Sequence, residues 1–132
     1  MPPFLIMRLM ELTQRTRDLG MSGEDYAANY LEASGWRIVE RNYRIRSAEI
    51  DLIVERGGLI VFVEVKTRRS KKFGRPAEAV TLNKQRKIIE AASVFMQRAE
   101  YIGSACRFDV IEIYFEDGAW HLNQIENAFE VN

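Results

Sequence analysis

The chain has 132 residues and no net charge, with 47% hydrophobic and 29% charged side chains, which suits one soluble domain with a single core. A lone cysteine, Cys106, excludes a disulfide framework within the chain and fits a reducing cytoplasm. With only one histidine, His121, no Cys/His zinc cluster can be assembled.

The chain begins MPPFLIMRLM, an apolar stretch too short to span a bilayer. Arg8 follows that stretch, where a signal peptide carries its charge before it. Residues 1–20 therefore read as an N-terminal extension with a short helix over 5–18, and residues 21–132 as the domain. Ser22 offers an N-cap, with Asp25 three residues on as a capping-box partner. Ala27, Ala28 and Leu31 form an apolar stripe at helical spacing, Glu24 lies on the same stripe, and Gly35 ends the helix. Strands follow over 36–43, 49–55 and 59–66, the last two joined by a tight turn at Gly57-Gly58. A third helix covers 83–98, with Ile88, Ile89, Ala92, Phe95 and Met96 on one face. Strands over 107–115 and 120–125 finish the chain, turning at Asp117-Gly118. Cys106 reads as a core thiol and His121 as structural. The order is α-β-β-β-α-β-β.

Zero net charge hides an asymmetry. Residues 66–87 hold nine Lys/Arg and one acidic residue, a net +8, which leaves −8 for the remainder. Such a field suits an anionic partner, although a solvated loop has the same composition. Arg68, Arg69, Lys71, Lys72 and Arg75 form its dense part and suit a nucleic-acid backbone. Gln85 sits on the apolar side of its helix near the N-terminal end, beside Lys84, and polar groups there suit a phosphate.

The stretch EIDLIVERGGLIVFVEVKTR carries the sharpest signal. Residues 59–63 are apolar on both faces, as in an interior strand covered on both sides. Alternation then puts Phe62, Glu64 and Lys66 on one face and Val61, Val63 and Val65 on the other. In the preceding strand it puts Ile50, Leu52 and Val54 together, opposite Glu49, Asp51 and Ile53. Pairing about the glycine turn sets Asp51 opposite Glu64, with Lys66 one pleat away. Facing like charges destabilise a sheet unless something offsets them. A divalent cation does so, since Mg²⁺ binds one or two carboxylates and leaves its other positions to water and phosphate. An ion pair with Lys66 and no metal is the plainer alternative.

An aspartate, then Glu-x-Lys at the end of the next strand, with a glutamate on the preceding helix, resembles the PD-(D/E)XK nuclease superfamily. Asp51 matches its aspartate, and Glu64-Val65-Lys66 its E-x-K. Ile50 stands where the pattern's proline would be, and Ala48 where many related sequences carry glycine. SGEDYAANYLEASGWRIVERNYR, EIDLIV, VFVEVKTR, FGRPAEAV and RFDVIEI together resemble the YraN-type family of endonuclease-like bacterial proteins over roughly residues 20–130. The resemblance implies an α/β domain with an αβββαβ core and a mixed central sheet. It implies Mg²⁺ or Mn²⁺ and phosphodiester hydrolysis, with Asp51, Glu64 and Glu24 and the Val65 carbonyl as metal donors and Lys66 at the attacking water. It implies nucleic acid, and DNA first, as partner. By analogy with archaeal Holliday-junction resolvases, a homodimer is implied too. The rival reading keeps the fold as a nucleic-acid-binding or assembly module without turnover.

Overall fold

The computed structural model describes residues 22–68 and 80–131. The helix expected over 5–18, and Arg69, Lys71, Lys72 and Arg75, lie outside them.

The first helix, α1 (Gly23–Ala33), starts on a reciprocal cap. Ser22 Oγ accepts the Asp25 N–H at 3.1 Å, and the Asp25 carboxylate accepts the Ser22 N–H at 3.3 Å. Tyr26, Ala27, Ala28 and Leu31 form its buried face. The chain leaves it through Gly35 at φ 95°, a left-handed conformation that favours glycine.

Five strands follow the alternation of the sequence: β1 (Arg37–Ile45), β2 (Ala48–Arg56), β3 (Leu59–Arg68), β4 (Cys106–Glu116) and β5 (Ala119–Ile125). They form one sheet in the order β1-β2-β3-β4-β5. Only β3 and β4 pair in parallel, so the sheet is mixed. The parallel step needs a crossover, and α2 (Leu82–Phe95) lies within it. Between β2 and β3, Gly57 and Gly58 both take positive φ, 58° and 83°, as a two-residue hairpin turn requires.

The central strand, β3, is buried on both faces. Val61 and Val63 join Leu52, Val54, Ile111 and Ile113 beneath α1. Ile60 and Phe62 join Ile53, Ile88, Ala92 and Phe95 beneath α2, where Phe62 meets Phe95 edge-on with ring centroids 5.8 Å apart. The result is a single α/β domain whose five-stranded mixed sheet carries a helix on each face, consistent with the expected αβββαβ core.

Two local expectations are corrected. Ile50 packs with Ile53 beneath α2, not with Leu52 and Val54 beneath α1. Strict alternation is therefore lost across Asp51. Cys106 is exposed, at the first position of β4, and is no core thiol. His121 is held as expected: its ring stacks on Tyr114 and its Nε2 donates to the Glu116 carbonyl at 3.1 Å.

Candidate functional site

The backbone ladder between β2 and β3 pairs Ile53 with Phe62 and Leu52 with Val63. The ladder ends at Leu52 and Val63, and Asp51, next along β2, lies near enough to Glu64 for the two carboxylates to act on each other. There the pairing changes character: the Val65 N–H donates to Asp51 Oδ2 at 2.8 Å, so a side chain takes the place of a backbone acceptor. In an extended strand a residue's N–H and C=O point to the same neighbour. The Val65 carbonyl is thus turned toward β2 with its N–H.

Glu64 shares the α2 side of β3 with Phe62, and its side chain is only 5% exposed. A carboxylate buried to that degree needs a charged partner. Lys84, in the first turn of α2, supplies it, with Nζ 2.8 Å from Glu64 Oε1. Lys66 Nζ stands farther off, at 3.6 Å from the same oxygen. The Thr81 cap fixes where Lys84 starts, since Thr81 Oγ1 accepts the Lys84 N–H at 3.2 Å. The hydrogen bond to Glu64 raises the pKa of the Lys84 ammonium, so it stays charged.

Asp51 is the most perturbed group. Burial, and then the neighbouring Glu64 carboxylate, push its pKa up to about 7. The Val65 N–H and the Lys84 charge act the other way, and Glu24 adds to the rise. Both ammoniums at hand, Lys84 and Lys66, pair with Glu64, and Asp51 has no ion pair among the described residues, so burial beside Glu64 opposes its ionisation.

Glu24, on α1, lies close enough to act on Asp51 but is engaged elsewhere. Its Oε1 accepts Asn42 Nδ2 at 2.9 Å and pairs with Arg41 at 3.2 Å. Among the described residues no three His, Cys, Asp or Glu side chains gather closely enough to hold an ion by themselves. The donor set at hand is Asp51, Glu64 and the Val65 carbonyl. These are hard oxygen donors of the kind Mg²⁺ and Mn²⁺ take together with water and phosphate, so the residues fit the cation.

Other predicted residues fall around this centre. Gln85 turns its amide to the Val80 carbonyl at 2.9 Å, and the side chain reaching Glu64 from α2 is its neighbour Lys84. Glu49 pairs with Arg44 and is peripheral. Arg68 lies on the Glu64–Lys66 side of β3, 3.7 Å from Glu112 Oε1. Sequence reasoning overlooked Glu112. It sits opposite Lys66 in the parallel β3–β4 register, is 3% exposed, and its Oε1 accepts no hydrogen bond. The signal was available, for Glu112 is a charge inside the apolar run VIEIYF. The Lys84–Glu64 pair was not legible, because it depends on where α2 crosses the sheet.

A family model described as "Uncharacterised protein family UPF0102" matches residues 23–113. The chain belongs to the UPF0102 family. This is the YraN-type family that the motifs resemble. A UPF0102 protein of Symbiobacterium thermophilum is 50% identical over 115 residues, covering 86% of this chain and 98% of the relative. One from Geobacter metallireducens is 42% identical over 120 residues, covering 91% and 98%. The match to the UPF0102 model spans every side chain of the centre, from Glu24 on α1 to Glu112 on β4. Among solved structures, Pyrococcus furiosus SfsA in complex with Ca²⁺ aligns with a TM-score of 0.35 and 14% identity, over 82% of this chain and 64% of that one. That likeness is too distant to argue from.

Proposed function

We propose that this UPF0102 protein is a metal-dependent nuclease of the PD-(D/E)XK type that hydrolyses phosphodiester bonds in DNA. The observation that carries the reading is the Asp51–Glu64 pair. At the end of a buried central strand, Lys84 and Lys66 both pair with Glu64, while the neighbouring Asp51, its pKa raised by burial and by Glu64, has no ion pair among the described residues.

Asp51, Glu64 and the Val65 carbonyl would hold Mg²⁺ or Mn²⁺, with Glu24 adding negative charge from α1. A bound divalent cation supplies charge neutralisation at the scissile phosphate and lowers the pKa of an attacking water. Lys66 orients that water and offsets charge developing on the phosphate. Lys84 holds Glu64 in place, and with a cation bound to that carboxylate its ammonium would be available to the phosphate. The basic run beginning at Arg68, with Arg69, Lys71, Lys72 and Arg75, supplies backbone affinity without reading sequence. Selection by DNA structure follows, and a homodimer suits a branched substrate.

One observation favours a second reading, a DNA-binding or assembly module without turnover: the Lys84 ammonium already satisfies Glu64 at 2.8 Å. The deciding experiment is single-turnover cleavage of branched, flapped, single-stranded and duplex DNAs in Mg²⁺ or Mn²⁺, with Asp51→Asn as control. The nuclease reading expects cleavage of at least one substrate and none by the variant. Binding without cleavage across the panel supports the module.

A further inference from the structure

A cleft of about 420 Å³ opens beside the carboxylate pair, between the β1–β2 hairpin and the first turns of α2. Its polar walls are Ser47 and Glu49 on the hairpin side, and Thr81, Asn83, Lys84 and Lys87 on the helix side. Lys84 belongs to both places, lining the cleft while its Nζ bonds Glu64. Lys84 thus links the cleft to the proposed centre. Ser47 Oγ donates to Glu90 Oε1 at 3.2 Å, tying the hairpin to α2 and fixing the width.

The charges in it are unequally satisfied. The Glu49 carboxylate is taken by Arg44, whose Nε lies 3.1 Å away, and Glu90 accepts from Ser47. Lys87 is exposed, lines the cleft, and has no ion pair among the described residues. What remains on offer is the Lys87 ammonium, the N–H groups of Lys84 not given to Glu64, the Thr81 hydroxyl and the Asn83 amide. Those groups suit an anion that accepts several hydrogen bonds. The volume falls in the range of sites that take a ligand of nucleotide size.

We propose that this cleft is a backbone subsite for DNA, receiving the phosphate and sugar next to the phosphate placed on Asp51 and Glu64. The inference rests on the nuclease reading for its geometry and adds the direction in which the strand leaves the centre, toward Ser47 and Lys87.

The test compares two neighbouring cations on opposite flanks of α2. Lys87 lines this cleft, whereas Arg86 lines a separate depression with Leu82, Gln85 and Ile89. Affinity for a fluorescent four-way junction and a duplex is measured in EDTA over a range of salt, for the wild type, Lys87→Ala, Lys87→Glu and Arg86→Ala. Loss of one phosphate contact should weaken Lys87→Ala by roughly fivefold and flatten the log–log salt slope by about 0.9. Lys87→Glu should weaken binding further, and Arg86→Ala should stay within about twofold of the wild type. Equal losses for Lys87→Ala and Arg86→Ala would show a diffuse field and overturn the subsite, as would no loss at all. If the wild type cuts nothing but Lys87→Ala still loses affinity and slope, the nuclease reading fails and the subsite stands. A wild type that binds no DNA overturns both.

Discussion

Asp51 shows how one residue's surroundings set a measurable property. Its carboxyl is pushed from an ordinary value of 3.8 to about 7 by burial and by Glu64. Between those values the native protein holds a proton that the unfolded chain has released. Linkage then fixes the sign: this stabilisation is complete below about pH 4 and is lost as pH rises through 7. In cation-free buffer, urea midpoints should fall from pH 5 to pH 8, and Asp51→Asn should flatten that slope. Saturating Mg²⁺ should oppose the loss, because a cation favours the ionised form. A wild type and an Asp51→Asn variant with identical pH profiles would contradict the assigned environment. Lys66 makes a separate case. With Nζ 3.6 Å from Glu64, it is the second cation at that carboxylate, behind Lys84. Lys66→Ala should therefore fold and keep its cation binding. Its single-turnover cleavage should fall by at least ~100-fold, the lower end for a positioned catalytic group. Wild-type rates in a folded Lys66→Ala protein would remove Lys66 from the chemistry.

At the scale of elements, α1 depends on a close approach. A Cβ on Gly23 would overlap the Thr67 hydroxyl near the end of β3. Gly23→Ala must push the start of α1 off the sheet or turn Thr67, and overpacking of this kind costs about 1–3 kcal/mol. Because Glu24 is the next residue, its bonds to Arg41 and Asn42 should loosen as well. Urea unfolding of Gly23→Ala should show the loss, and an unchanged midpoint would mean that the contact yields without cost. Elements were also what the sequence showed best. The Ser22/Asp25 cap, the Gly57-Gly58 turn and the doubly apolar β3 each rest on local chemistry that a single sequence displays. Where the reading failed, a non-local cause is visible. Ile50 changed sides together with its β1 partner Tyr43, next to Asn42 at φ 53° and to Asp51, whose side chain meets Val65. Gln85 turned to Val80 while Lys84 took Glu64, a one-residue difference in helix phase that only the docking of α2 on the sheet decides.

At the scale of the whole molecule, the fold gathers what the sequence spreads over some ninety residues. That Asp51 and Glu64 come near each other was legible from hairpin symmetry, although the backbone ladder ends one pair before them. Lys84 on the crossover helix and Glu112 on β4, which Arg68 meets, needed the parallel β3–β4 step to bring them in. The central claim is that this centre takes a divalent cation between Asp51 and Glu64, in competition with the Lys84 ammonium. Calorimetric titration of Mn²⁺ into the wild type, Asp51→Asn and Lys84→Ala tests it most directly. The account predicts saturable binding by the wild type, none by Asp51→Asn, and tighter binding by Lys84→Ala, whose metal-free form should be about 1–2 kcal/mol less stable for want of the nearer ammonium at Glu64. No Mn²⁺ binding by the wild type, or equal binding by the wild type and Asp51→Asn, would contradict it.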